Sequence, residues 1–128
     1  GAHPLCLAVA DRNLEIIIRE GLVENSARVG AYMLERLKEL QESPYIGEVR
    51  GLGLFAAFEI VKDKASRAPF DRALRVPQKV AVAARKRGII VRACMSAIQV
   101  APPLIATEAD IDRIVDALKS AVAEIKPG

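Results

Sequence analysis

One stretch, GIIVRACMSAIQVAPPLIATEADID at residues 88–112, restricts the fold more than any other part of the chain. Ile89, Ile90 and Val91 form a short β-branched run behind Gly88, which reads as a strand. A second apolar run at residues 98–100 returns after a few small residues. Ala101-Pro102-Pro103 then stops the pairing, because proline has no N–H to give a ladder. Thr107-Glu108-Ala109-Asp110 opens a helix, with Thr107 as the cap and acids in the first turn where the helix dipole favours them. Strand, return strand and helix in such close succession call for a mixed α and β layer.

The first of these runs also carries Arg92 to its exit. A guanidinium keeps its charge at any working pH and offers a planar fork for a carboxylate. Arg92 is therefore the candidate anion-binding residue, although on pattern alone a surface salt bridge is the commoner fate of such an arginine.

The remainder of the chain supplies helices and two more strands. Pro4 suits a first helical turn, where its missing N–H has no partner. Leu5, Ala8, Val9, Ala10, Leu14, Ile17 and Ile18 follow at helical spacing until Gly21. That stripe is wide, so the helix is expected to be sandwiched between layers and to bridge to an upstream domain. A second helix is expected at about residues 24–41, with Val29, Met33, Leu37 and Leu40 on one face. Residues 46–50 and 54–61 read as strands joined at Gly51-Leu52-Gly53, residues 62–74 as a charged loop, and residues 77–87 as a helix capped by Gly88. Ile111, Ile114, Val115, Leu118 and Val122 form the inner face of the last helix, which Pro127-Gly128 should end.

Aromatic residues make up only 4% of the chain and tryptophan is absent, while hydrophobic residues reach 52%. The core must come from Ala, Val, Ile and Leu on helices and a few strands. The expected class is α+β: three or four mostly antiparallel strands with helices packed on one face. A length of 128 residues suits a single domain, 1–128, burying roughly two-thirds of its unfolded surface. Cys6 and Cys94 form no metal or disulfide motif. No apolar run approaches the roughly 20 residues that a membrane helix needs. The expectation is a cytoplasmic protein with no membrane partner. Residues 50–92 hold eleven Lys and Arg against the three acids Glu59, Asp63 and Asp71. A basic stretch can mark nucleic acid, but the scarcity of aromatics to stack bases favours a hydrated face or an acidic protein surface.

Several segments together resemble one family. They are His3-Pro4 heading a helix, Glu20-Gly21-Leu22-Val23-Glu24-Asn25, Gly47-Glu48-Val49-Arg50-Gly51-Leu52-Gly53-Leu54, Glu59-Ile60-Val61-Lys62-Asp63-Lys64, Val91-Arg92-Ala93-Cys94, Ala101-Pro102-Pro103-Leu104 and Thr107-Glu108-Ala109-Asp110-Ile111-Asp112. In this order they resemble the C-terminal part of class III, pyridoxal-phosphate-dependent aminotransferases, and most of all the omega-transaminases (omega-amino acid:pyruvate aminotransferases).

The resemblance implies the small C-terminal domain of a fold type I enzyme. The parent would carry pyridoxal 5'-phosphate on a lysine of a large domain upstream of Gly1, and would form a homodimer or higher assembly. It would move an amino group from an amine or amino acid to a 2-oxo acid. Arg92 matches the arginine that binds substrate carboxylate in the omega-transaminases and swings away for uncharged amines. Where the family often has Gly-Asp after it, this chain has Met95-Ser96. On this reading the chain itself has no catalytic residue, binds no cofactor or metal, and is inactive in isolation, a view that its opening at Gly1-Ala2 without methionine suits.

Other tempting residues have plainer explanations. His3, beside Pro4, is read as structural. Arg50-Gly51-Leu52-Gly53 lacks the glycine spacing and Lys-Ser/Thr of a phosphate loop and is read as a turn. Cys94 is read as a small buried filler, with a reactive thiol beside Arg92 as the alternative. None of the seven lysines falls in a segment that would desolvate it, as a Schiff-base lysine requires. The rival to the enzyme-domain reading is a free-standing binding module that uses the basic stretch on an acidic partner or nucleic acid.

Overall fold

The computed structural model describes residues 3–126; the expected helix end at Pro127-Gly128 and the Gly1-Ala2 opening lie outside the described residues. Helices α1 (Pro4–Arg19) and α2 (Leu22–Lys38) lead into strands β1 (Ile46–Leu52) and β2 (Phe55–Ile60). Helix α3 (Val76–Lys86), strands β3 (Arg92–Cys94) and β4 (Ala97–Val100) and helix α4 (Glu108–Val122) complete the order. The four strands form one antiparallel sheet in the order β1-β2-β4-β3, so β1 and β3 are its edges. The α+β architecture is the one expected.

Alternation decides which side of the sheet meets the helices. Ala56, Phe58 and Ile60 of β2 and Ile98 and Val100 of β4 are buried, while Ala57, Glu59, Ala97 and Gln99 between them are only half-buried. Against the buried side lie Val29, Met33 and Leu37 of α2 and Ile111, Val115, Leu118 and Val122 of α4, each set spaced to form one helical stripe. Leu40, expected on the same helix as Leu37, lies instead in the 3-10 turn Glu39–Glu42 and remains buried. No polar or charged residue is buried among those described.

Helix α2 approaches the β1–β2 hairpin backbone to backbone. A β-carbon on Gly30 would lie 2.2 Å from the carbonyl carbon of Gly53, and Gly53 itself turns the chain at φ +56°. The Leu54 N–H donates to Ser26 Oγ at 3.2 Å, tying the hairpin to the start of the same helix. Asn25 Nδ2 donates to the carbonyls of Leu104 at 2.7 Å and Ala106 at 3.1 Å, fixing the Pro-rich connection beside it. Helix α2 starts at Leu22, two residues before the expected position 24, because Gly21 in a left-handed conformation serves as its N-cap.

Polar contacts join α2 to α4. Tyr32 donates to Asp112 at 2.6 Å, Arg36 Nε to the same carboxylate at 3.0 Å, and Glu39 receives both Arg36 and Lys119. Hydrogen bonds from Lys119 and then Arg36 hold the Glu39 carboxyl below its ordinary range; those from Tyr32 and then Arg36 do the same for Asp112. Thr107 caps α4 as expected, in a capping box with Asp110.

Two expectations need correction. Residues 89–91 are not a strand: Ile90 is 79% exposed and the pairing begins only at Arg92. In the observed register Ile89 would face Pro102, which has no N–H to pair, and the Ile89 N–H instead closes the end of α3 on the carbonyl of Ala84 at 3.1 Å. Arg92 thus opens a strand rather than leaving one. Helix α1 is not sandwiched within this chain either. None of its residues is buried, Leu5, Val9 and Leu14 are exposed, and Ile18 is 79% exposed, because α2 is its main neighbour.

Three outcomes follow from this packing. Phe58→Ala, at the sheet centre, should cost about 3–5 kcal/mol in urea unfolding, whereas Phe55→Ala, exposed on the same strand, should cost about 0.5 kcal/mol or less; equal losses would contradict the assignment of faces. Alanine at an exposed helical glycine gains about 1 kcal/mol, but Gly30→Ala should lose about 1–3 kcal/mol or more through overpacking on Gly53. Because the Glu39 and Asp112 pKa values are depressed on folding, their stabilisation is complete above the ordinary carboxylate range near pH ~4 and lost as pH falls through the depressed values. A thermal-melting series from neutral to acid pH should show that decline flattened in Glu39→Gln and Asp112→Asn.

Candidate functional site

The outer side of the sheet, away from the helices, carries the candidate site. Arg92 of β3 pairs with Gln99 of β4, Gln99 with Ala57 of β2, and Ala57 with Arg50 of β1. Directly paired residues project to the same side, so Arg50, Ala57, Gln99 and Arg92 form one row across all four strands. The flanking row Val49, Phe58, Ile98 and Ala93 projects to the core side, which fixes the direction of the first.

Arg92 is exposed, and among the described residues no carboxylate lies within salt-bridge distance of it. The arginines around it are differently placed. Arg50 pairs with Glu48 at 3.1 Å, and Arg67 pairs with Glu48 at 3.2 Å and Glu59 at 2.8 Å. Glu59, through its hydrogen bond and its charge, raises the Arg67 pKa above the ordinary value. Arg67 achieves this from a left-handed backbone at φ 55°, a conformation that a residue with a β-carbon adopts at some cost. Glu48 and Glu59 are thus taken by two arginines, and the third, Arg92, has no acidic partner among the described residues.

The turn after Arg92 keeps the register that this row requires. Cys94 pairs with Ala97 across Met95-Ser96, and Met95 takes the left-handed conformation at φ 51° that glycine would take freely. The Ile60 N–H donates to the Ser96 carbonyl at 2.7 Å and anchors the turn to β2. Cys94 is half-buried rather than buried, because it lies on the outer side of an edge strand.

The other sequence candidates do not join this row, apart from Arg50. His3 occupies the N-cap position of α1 without a side-chain cap and is exposed. Arg50, Gly51 and Leu52 belong to β1 and pair with β2, so the turn expected over residues 50–53 is confined to Gly53 with Leu54 after it. The basic stretch is divided: Arg50, Arg67 and Arg87 have acidic partners, whereas Arg75, Lys79 and Lys86 line a groove of about 730 Å³ beside α3. Gln99 and Arg67 escaped the sequence reading. Counting outward from the Met95-Ser96 turn pairs residue 92 with 99, so Gln99 had a signal; Arg67 lies in an irregular loop and had none.

Nothing among the described residues forms a lysine-based cofactor site. Six of the seven lysines are exposed, and Lys119 is half-buried against Glu39. The described residues include no group of three or more His, Cys, Asp or Glu arranged to hold a metal, and no helix among them is long and apolar enough to cross a membrane.

Comparisons with known proteins extend over most of the chain. The taurine–pyruvate aminotransferase of Bilophila wadsworthia is 42% identical over 127 residues, covering 93% of this chain and 27% of that protein. The diaminobutyrate–2-oxoglutarate transaminase of Halomonas elongata is 40% identical over 126 residues, covering 96% of this chain and 27% of that protein. A thermostable (S)-enantioselective omega-transaminase from Thermomicrobium roseum superposes with a TM-score of 0.91 at 45% identity, over 95% of this chain and 27% of that one. The chain thus spans about a quarter of the length of these relatives. The family model described as Aminotransferase class-III matches residues 1–122. With the family match, the sequence identities and the superposition in agreement, the chain belongs to the class-III aminotransferases.

Proposed function

We propose that this chain is the C-terminal small domain of a longer omega-type transaminase, and that its own part in the reaction is to bind the carboxylate of an amino acid or 2-oxo acid through Arg92. The observation that carries this reading is an exposed arginine on an edge strand, without an acidic partner among the described residues, in a fold shared with omega-transaminases. A guanidinium in that position can take a carboxylate with two parallel hydrogen bonds and requires no protein ion pair to be broken first.

Pyridoxal phosphate, which the family implies, supplies the electron sink for amino-group transfer. The residues here do not fit it, since no lysine is buried and no polar residue is enclosed among those described. Its lysine belongs to the rest of the proposed parent. The role left to this chain is substrate selection and closure of one wall of the site. An exposed apolar face on α1, with Leu5, Leu14 and Ile18, suits packing against that larger domain, as a homodimeric parent also would use.

In the complete polypeptide, Arg92→Ala should raise KM for a 2-oxo acid about 10–100-fold relative to KM for an uncharged amine, the loss of a charged hydrogen-bond pair of about 1.5–3 kcal/mol. Steady-state kinetics with each substrate varied in turn check this. An equal rise for both substrates would refute carboxylate selection by Arg92.

A further inference from the structure

Gln99 has no assigned role, yet it is the residue directly opposite Arg92 in the β3–β4 pairing. We propose that Gln99 is a specificity-determining residue of the same site. Its amide oxygen accepts from the Arg92 guanidinium, and its amide N–H group donates to the bound carboxylate. This rests on the carboxylate-binding reading of Arg92 and adds a second, neutral partner to it.

Three features of the sheet support the assignment. Directly opposed residues have β-carbons about 5 Å apart, close enough for the amide to meet the guanidinium once both side chains turn toward each other, a contact not made in the structure itself. On the far side of Gln99 is Ala57, too small to compete for either amide group, and beyond it Arg50 is held by Glu48 at 3.1 Å. Glu59, two residues from Ala57 on the same side of β2, is held by Arg67 at 2.8 Å. Each carboxylate placed to reach into this row is therefore engaged elsewhere.

A neutral residue at position 99 is what an anion-selecting arginine requires. Glutamate there would occupy the guanidinium permanently, at an effective concentration that dissolved substrate cannot match. Leucine or methionine would leave the guanidinium free but would remove the donor to the substrate's second oxygen. Glutamine neutralises nothing and still offers one acceptor and two donor hydrogens.

The test compares Gln99→Glu, Gln99→Met and Arg92→Ala in the complete polypeptide, with pyruvate as the carboxylate substrate and an uncharged aryl amine as the reference. Gln99→Glu should raise the ratio of pyruvate KM to amine KM at least about tenfold, and Gln99→Met about three- to tenfold, with kcat changing less than KM. If Arg92→Ala raises this ratio and neither Gln99 variant does, the Gln99 proposal falls and the Arg92 reading stands. If Arg92→Ala leaves the ratio unchanged, both fall. A second measurement needs no catalysis: in the 128-residue chain, the carboxyl introduced by Gln99→Glu should titrate by NMR below an ordinary glutamate, and return toward it when Arg92→Ala is added. Identical titration with and without Arg92→Ala would overturn the cross-strand contact.

Discussion

The approach of α2 to the β1–β2 hairpin at Gly30 and Gly53 is the constraint on which the remaining packing depends. With no β-carbon between them, helix and hairpin backbones meet directly. Val29, Met33 and Leu37 can then reach Phe58 and Ile98 without large aromatic side chains to fill a gap. A chain with few aromatics has to bring its elements close, because dispersion contacts between small side chains weaken steeply with distance. Ser26 and Asn25, just before Gly30, use the same closeness to hold the hairpin and the Pro-rich connection by hydrogen bonds.

Much of this was legible in the sequence. Periodicity located α1, α2 and α4, Pro77 and Gly88 bounded α3, Gly51 and Gly53 marked the β1–β2 junction, Thr107 was visible as a cap, and the ordered set of motifs pointed to the family. The start of β3 was not legible. Ile89-Ile90-Val91 has strand composition, but strand formation requires a partner with free N–H groups, and Pro102 withholds one at the position facing Ile89. Composition describes what a segment prefers; pairing depends on a segment elsewhere. Gln99 was legible in principle, since counting outward from the Met95-Ser96 turn places it opposite Arg92, but its interest comes only from that neighbour. Helix α1 has a related limit: an apolar stripe shows that a surface seeks cover, and not whether this chain provides it.

The site that results is built from a sheet edge and has no buried charge among the described residues. Arg50 and Arg67 engage the acids Glu48 and Glu59, leaving Arg92 beside a neutral amide. Specificity of this kind arises from what surrounds a charged residue as much as from the charge, since an arginine with a standing partner would have to lose it before gaining another. The cost is accepted at Arg67 and Met95, whose left-handed backbones keep the acids engaged and the turn in register.

The two edges of the sheet are unequal, and neither invites another strand. Edge β3 is only three residues long, and edge β1 is interrupted by an irregularity in register between Ile46 and Val49. Short and bulged edges present few consecutive N–H and C=O groups for a foreign chain to extend. Growth of the sheet by addition of another polypeptide is thereby discouraged, even in a protein with abundant β-branched residues. The exposed apolar surface lies instead on α1, where any contact would be made by side chains rather than by backbone pairing.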